Sequence, residues 1–239
     1  MGKAKRRLRK LIDELARAHP HLDDPEARIH AGEVVVDGIV RRNPDTRVRE
    51  GASIEFRGEI VLRGERKLAA AFEAFAVDML ARTALDVGAA AGGFTRALLR
   101  AGARRVYAVD AGNGQLLGSL RLDPRVVNLE ATNLGALDRR LVPEPIDVVT
   151  VDLSYLALHA AAPQLERVEL ARDADLIALV KPQFELGLAA PPAARKGFAA
   201  VERARRGFEQ NGWRVEDVIE SPVRGARGAV EFLLLARRR

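Results

Sequence analysis

Apolar positions along the chain change their period from segment to segment. From Lys5 to Ala18, Leu8, Leu11, Ile12 and Leu15 recur at helical spacing with Arg6, Lys10 and Arg17 opposite, which predicts an amphipathic helix. A second helix is expected from "DDPEARIHAG", with Asp24 as N-cap, Pro25 in the first turn and Gly32 as the stop. "EVVVDGIV" then predicts a β-hairpin turning at Asp37-Gly38, and "TRVREGASIEF" two more short strands around Glu50-Gly51. After "EIVLRGERK", where Gly58 and Gly64 suggest a short hinge, strand and helix patterns alternate to the end. Val/Leu-rich strands are expected at "ALDVGA", "RVYAVDA", "VVNLE", "DVVTVDLS" and "DLIALVKP", with helices at "FTRALLRAG" and "GQLLGSLRL" between the first three. A late helix, "VERARRGFEQNG", precedes closing strands in "WRVEDVIESP" and "VEFLLLARR". This alternation predicts an α/β domain whose parallel sheet is covered on both faces, so ligand residues should sit at strand ends.

Composition narrows the chemistry. The 239 residues are 48% hydrophobic and 30% charged, as expected of a folded soluble protein. There is no cysteine, which excludes disulfides, thiolate nucleophiles and zinc-thiolate sites; no metal site is expected. No uninterrupted apolar run approaches the ~18 residues of a membrane helix, and the basic start leads into no apolar segment, so a cytoplasmic protein without membrane partners is expected. The net charge of +6 points to polyanionic partners without choosing among them.

The N-terminal pattern of two helices and a hairpin, with "RIHAGEVVVDG" its most specific part, resembles an S4 RNA-binding domain. The resemblance implies a small α+β module, residues 1–60, that presents a basic surface to folded RNA, with Arg6, Arg9, Lys10, Arg28 and Arg41 as candidates. Acids such as Asp13, Asp23, Asp24 and Glu26 dilute that field. Residues 61–66 are expected as a linker and 67–239 as the larger domain; Arg195 and Lys196, in a loop rich in small residues and proline, are further RNA candidates.

"LDVGAAAGGFT" marks a strand-to-helix turn where missing side chains let a ligand approach the backbone. The order of its glycines is G-x-x-x-G-G, not the G-x-G-x-x-G of a dinucleotide site. With Asp86 at the strand end and Asp110 closing the next strand, it looks like the first motif of an S-adenosylmethionine-dependent methyltransferase. That likeness implies cofactor contacts from Asp86, Gly88, Gly92, Gly93 and Phe94, ribose hydroxyls on Asp110, and the adenine edge at Asn133. Asn133 could equally be a turn residue with a locally bonded side chain.

Together "LDVGAAAGGFT", "VYAVDAGNGQL", "DPRVVNLEATN", "VDLSYLAL" and "LVKPQFELG" resemble the hemolysin A/TlyA family, which joins an S4 domain to an FtsJ-like ribosomal RNA methyltransferase domain. The resemblance implies a Rossmann-like, seven-stranded, mostly parallel sheet, ribosomal RNA as partner and 2′-O-methylation of ribose. Lys67, Asp152, Lys181 and Glu231 match the Lys-Asp-Lys-Glu set of FtsJ-like enzymes. Lys181 is the expected base, Lys67 and Asp152 set its charge and orientation, and Glu231 holds Lys67 or the incoming ribose. Where the family has a serine-arginine-glycine-glycine run before the first lysine, this chain has Leu62-Arg63-Gly64-Glu65-Arg66. Without cysteine the covalent route to C5-methylated pyrimidines is closed. Base N-methylation through "DLSY", a nicotinamide-dependent oxidoreductase and a non-catalytic RNA-binding or ribosome-assembly factor that retains the fold are the alternatives.

Overall fold

In the computed structural model, which describes residues 7–58, 61–190 and 197–238, the stretch expected as one helix from Lys5 is divided. Leu8–Lys10 is a strand, β1, and Leu11–Ala18 the helix α1. The strand forms because Leu8, Arg9 and Lys10 pair antiparallel with Arg49, Val48 and Arg47 of β4 (Arg47–Arg49), which satisfies backbone groups on both. Helix α2 (Pro25–Ala31) starts where Asp24 accepts the Ala27 amide at 3.2 Å and stops at Gly32, φ 75°. β2 (Val34–Val36) and β3 (Ile39–Arg41) form the hairpin, with Asp37 and Gly38 at φ 48° and 78° as its two-residue turn requires. β5 (Ile54–Phe56) pairs with the other edge of β2, so the strands flanking Glu50-Gly51 go to different partners. Leu11, Leu15, Leu22, Ile29, Val34, Val36 and Val48 form this unit's core.

The chain divides into units Met1–Arg63 and Gly64–Arg239. Little of the expected linker 61–66 remains as linker. Leu62 is buried and bridges to Leu22, and helix α3 (Arg63–Phe75) has already begun, because Leu68, Ala71 and Phe75 give it a continuous apolar face to bury.

In the second unit β6 (Thr83–Val87), α4 (Gly93–Arg100), β7 (Arg105–Val109), the one-turn α5 (Gly118–Arg121) and β8 (Val126–Leu129) form the first half of an α/β sheet. β9 (Ile146–Val151), α6 (Leu158–Ala161), β10 (Leu170–Val180), α7 (Pro182–Glu185), α8 (Gly197–Glu209), β11 (Trp213–Glu220) and β12 (Phe232–Arg238) complete it. The order is β11-β12-β10-β9-β6-β7-β8, parallel except that β12 runs against both its neighbours. The helix expected over "GQLLGSLRL" is reduced to α5, because the Glu130 carboxylate takes the amides of Gln115 and Leu116 at 2.5 and 3.0 Å.

Strand residues alternate between two cores. Leu85, Val87, Val149 and Val151 face Leu158, Ala204 and Phe208 of α6 and α8, while Ala84, Val148 and Ile177 face Leu68, Phe75 and Leu98 of α3 and α4. The sheet is thus covered on both faces. The strand order turns back between β6 and β9, so the crevice for a ligand lies beyond their carboxyl ends. Among the described residues no helix is long and apolar enough to cross a membrane.

Candidate active site

The turn after β6 is held against the neighbouring strand ends. Gly88 and Ala89 donate to the Val109 carbonyl at 2.8 and 3.0 Å, and Asp152 donates its amide to the Val87 carbonyl at 2.9 Å. A Cβ on Gly88 would lie 2.3 Å from the Asp152 carbonyl oxygen, and its φ is 88°. Gly92, φ 94°, leaves no room beside Leu120 and Leu116. These two glycines bring β6, β9 and the helix start together at the switch point.

Three residues expected to touch the cofactor are turned inward. Asp86 is completely buried; its oxygens accept the Thr95 hydroxyl at 2.6 Å and the Thr150 hydroxyl at 2.9 Å. Asp86 and Thr150 are Cα partners across β6 and β9, so the carboxylate ties both strands to α4 below the rim. Burial raises its pKa to about 6, against the two hydroxyl bonds and aided by the Asp152 charge. Gly93 lies where α3 crosses α4, and its Cβ would stand 3.0 Å from the Glu65 amide nitrogen. Phe94 is in the core.

Asp110 remains open to the crevice. Its two oxygens accept the Ala90 and Gly112 amides at 2.9 and 2.7 Å, so the carboxylate is aimed by backbone and keeps acceptor capacity on each oxygen. Gly112 and Asp110 take the amides of Ala131 and Thr132 through their carbonyls at 2.7 and 2.9 Å, which brings the next loop alongside. Asn133 follows there, exposed and making no side-chain cap, so the local-bond alternative is not the one adopted. Tyr155, 57% exposed, is near this end too: burial and the Asp110 charge raise its hydroxyl pKa, against a backbone contact with Leu134. A turn of small residues, an aimed carboxylate and an exposed amide fit a nucleoside with vicinal hydroxyls.

The four residues matching the lysine–carboxylate set form two ion pairs at the same rim. Lys181, just beyond β10, places Nζ 2.5 Å from Asp152 Oδ1, just beyond β9, and donates to Ser154 Oγ at 2.8 Å. The Asp152 contact is an ion pair without hydrogen-bond alignment. Lys67 of α3 donates to Glu231 Oε2 at 2.5 Å, both nearly buried. Val180 and Phe232 are Cα partners, so one further step of that antiparallel register sets Lys181 opposite Glu231. Glu65, which stands where the family run has a glycine, is buried between Arg96 and Arg100 of α4, while Lys67 is the side chain that reaches Glu231.

Sequence reasoning missed two supports of this site. Glu185 of α7 is buried and accepts the Leu158 amide at 2.6 Å and the His159 ring nitrogen Nδ1 at 2.7 Å. It thereby fastens the segment after Lys181 to the segment after Asp152. Gly225 leaves room for the Glu231 carboxylate, whose Oε1 lies 2.1 Å from where a Cβ would be. A glutamate four residues beyond a lysine, and a glycine in a loop, carry no pattern that would have singled them out.

In the N-terminal unit three RNA candidates are already paired with acids. Arg9 bonds Glu50 at 3.0 Å, Lys10 pairs with Asp45 at 2.7 Å and Arg28 with Glu33 at 2.9 Å. Dilution of the field was expected, but from other acids. Arg41 is partly buried, and Arg6, Arg195 and Lys196 lie outside the described residues.

Comparison with known proteins agrees with this architecture. The model of the FtsJ-like methyltransferase family matches residues 60–238. The chain is 40% identical over 222 residues to a protein of Mycobacterium tuberculosis named 16S/23S rRNA (cytidine-2′-O)-methyltransferase TlyA, covering 87% of this chain and 81% of that one. It is 32% identical over 216 residues to hemolysin A of Brachyspira hyodysenteriae, covering 86% and 89%. A solved structure titled "Putative hemolysin from Streptococcus thermophilus" superposes with a TM-score of 0.78 at 27% identity, covering 98% of this chain and 90% of that one. With the family match over three quarters of its length and these relatives over most of it, the chain belongs to the FtsJ-like methyltransferase family, in its hemolysin A/TlyA group.

Proposed function

We propose that this protein transfers a methyl group from S-adenosylmethionine to a ribose 2′-hydroxyl of ribosomal RNA, with Lys181 as the base. The observation that carries the proposal is the pairing of Lys181 with Asp152 and of Lys67 with Glu231 at one rim of the sheet, beside the open carboxylate of Asp110. The name of the M. tuberculosis relative supports the substrate class.

S-adenosylmethionine, when bound, supplies a methyl group on a sulfonium and hence a good leaving group. Asp110 would hold the ribose hydroxyls of this cofactor, the backbone of the Gly88–Gly92 turn would line its approach, and Asn133 would meet the adenine edge. Ser154 accepts one hydrogen bond from Lys181 Nζ and Asp152 stands beside it as a counter-charge, so the amine is oriented and keeps a position for the attacking hydroxyl. The neutral amine accepts the hydroxyl proton as oxygen attacks. Lys67 and Glu231, paired with each other and nearly buried, fix the frame around Lys181 on which in-line placement of the ribose relies. The N-terminal unit, residues 1–60, acts as an S4-like RNA-binding module.

Base N-methylation fits less well. Leu153 is buried and Ser154 is bonded to Lys181, so "DLSY" serves the lysine instead of forming a proline-stiffened stacking loop. The deciding experiment is incubation with labelled S-adenosylmethionine and purified ribosomal subunits, followed by nucleoside mass spectrometry. A 2′-O-methylated nucleoside is expected. A methylated base would overturn the proposed chemistry, and no transfer at all would favour the non-catalytic alternative.

A further inference from the structure

β1 and β4 form a two-stranded ribbon with Leu8 opposite Arg49, Arg9 opposite Val48 and Lys10 opposite Arg47. Directly opposed residues share a face and successive residues alternate, so Leu8, Lys10, Arg47 and Arg49 lie together on one side. All four are exposed; Leu8 is 54% exposed, an apolar side chain standing among cations. The other side carries Val48 into the core and Arg9 to its acids. Lys10 is matched by Asp45, whose pKa Lys10 lowers first and Arg47 last. Among the described residues, no carboxylate stands within ion-pair distance of Arg47 or Arg49.

This contrasts with the helices of the same unit. Arg17 is bonded to the buried Glu14 and Arg28 to Glu33, so their positive charge is spent internally. On the ribbon, residues two apart on one strand face have backbones about 6–7 Å apart, so their side chains are anchored at a spacing comparable to that of successive phosphates along an RNA strand. Guanidinium forks match phosphate oxygens.

We propose that this ribbon face is where the N-terminal unit holds ribosomal RNA, with Arg47 and Arg49 on adjacent phosphates and Leu8 against the sugar or base between them. The proposal rests on the RNA-binding role given to this unit above. It adds Arg47 and Arg49, which no sequence pattern had marked, and moves the contact from the helices to the ribbon.

The test is binding of a fluorescein-labelled ribosomal RNA transcript to the full chain, wild type and Arg47→Ala/Arg49→Ala, across a salt series. Both side chains are exposed, so the melting temperature should hold. The double variant should bind roughly tenfold more weakly or worse at moderate salt, and its slope of log affinity against log salt should fall by about one for each arginine. Salt-dependent wild-type binding left unchanged by the double substitution overturns the ribbon but leaves the RNA-binding role standing. A wild type without salt-dependent affinity removes that role and the ribbon with it.

Discussion

Two lysine–carboxylate pairs of equal length, 2.5 Å, sit at one rim of the sheet in different surroundings. The side chains of Lys67 and Glu231 are 8% and 7% exposed; those of Lys181 and Asp152 are 14% and 22%. A charge sealed with its partner cannot leave without stranding that partner in low dielectric, so the first pair suits fixed positioning. A pair with a path to solvent can take a new partner, which a base must do when substrate arrives. The cofactor end repeats the contrast in Asp86, buried beneath neutral hydroxyls, and Asp110, aimed outward by two backbone amides. In each case the inner group is sealed into the frame and the outer one stays open to the crevice, where the proposed function needs a ligand contact.

The largest effect should come from the open pair. Lys181→Ala is expected to lower turnover ~10²–10⁴-fold while cofactor affinity by calorimetry holds. Lys181→Arg should not restore turnover, because arginine cannot serve as a neutral base. A Lys181→Arg protein methylating RNA at the wild-type rate would assign Lys181 to charge alone. For the sealed pair the loss should appear as stability. Lys67→Met leaves a buried carboxylate unpaired and should cost about 3–5 kcal/mol in denaturant unfolding, with much of it recovered in Lys67→Met/Glu231→Gln. Equal stability losses from Lys67→Met and Lys181→Met would erase the distinction between the pairs.

Asp86 gives a pH signature. Its pKa is raised by burial from 3.8 to about 6, so the folded state binds the extra proton and is destabilised as pH rises from about 4 through 6. The stability of wild type relative to Asp86→Asn should therefore fall by roughly 2 kcal/mol between pH 4 and pH 7. A difference that stays flat over that window would mean the carboxylate is not sealed. The smallest expected effect is at Asp110: Asp110→Ala removes the charged acceptor for ribose hydroxyls and should weaken S-adenosylmethionine binding by roughly 1.5–3 kcal/mol. Unchanged calorimetric affinity would take Asp110 out of the site.

Much of the candidate site was readable as a set of strand-end residues, because strand ends are readable. Asp110, Asp152 and Lys181 each interrupt or close an apolar run, and Lys181 precedes a proline that ends its strand. Asp86, Gly93 and Phe94 belong to the same motif, yet Asp86 is held by hydroxyls from α4 and β9, and Gly93 and Phe94 by α3, which no local pattern places beside α4. The pairing of Lys67 with Glu231 spans 164 residues, and Glu65 makes sense only once Arg96 and Arg100 face it.

What the sequence determined by itself was local. Hydrophobic period, turn chemistry and the residue at each strand end identify an α/β sheet with its ligand residues at the carboxyl ends, after a small hairpin-bearing module. Tertiary structure decided which charges are sealed and which stay open, and which strand takes which partner. Leu8–Lys10 carries a helical pattern and becomes a strand because Arg47–Arg49 is there to pair with it. Arg9, Lys10 and Arg28 look alike as basic residues, but the fold pairs Arg9 and Lys10 with acids distant in sequence and Arg28 with nearby Glu33, while among the described residues no carboxylate stands at ion-pair distance of Arg47 or Arg49. Composition counts charges; only the fold sets the distance between them, and the energy of a charge depends on that distance and on the water that remains around it.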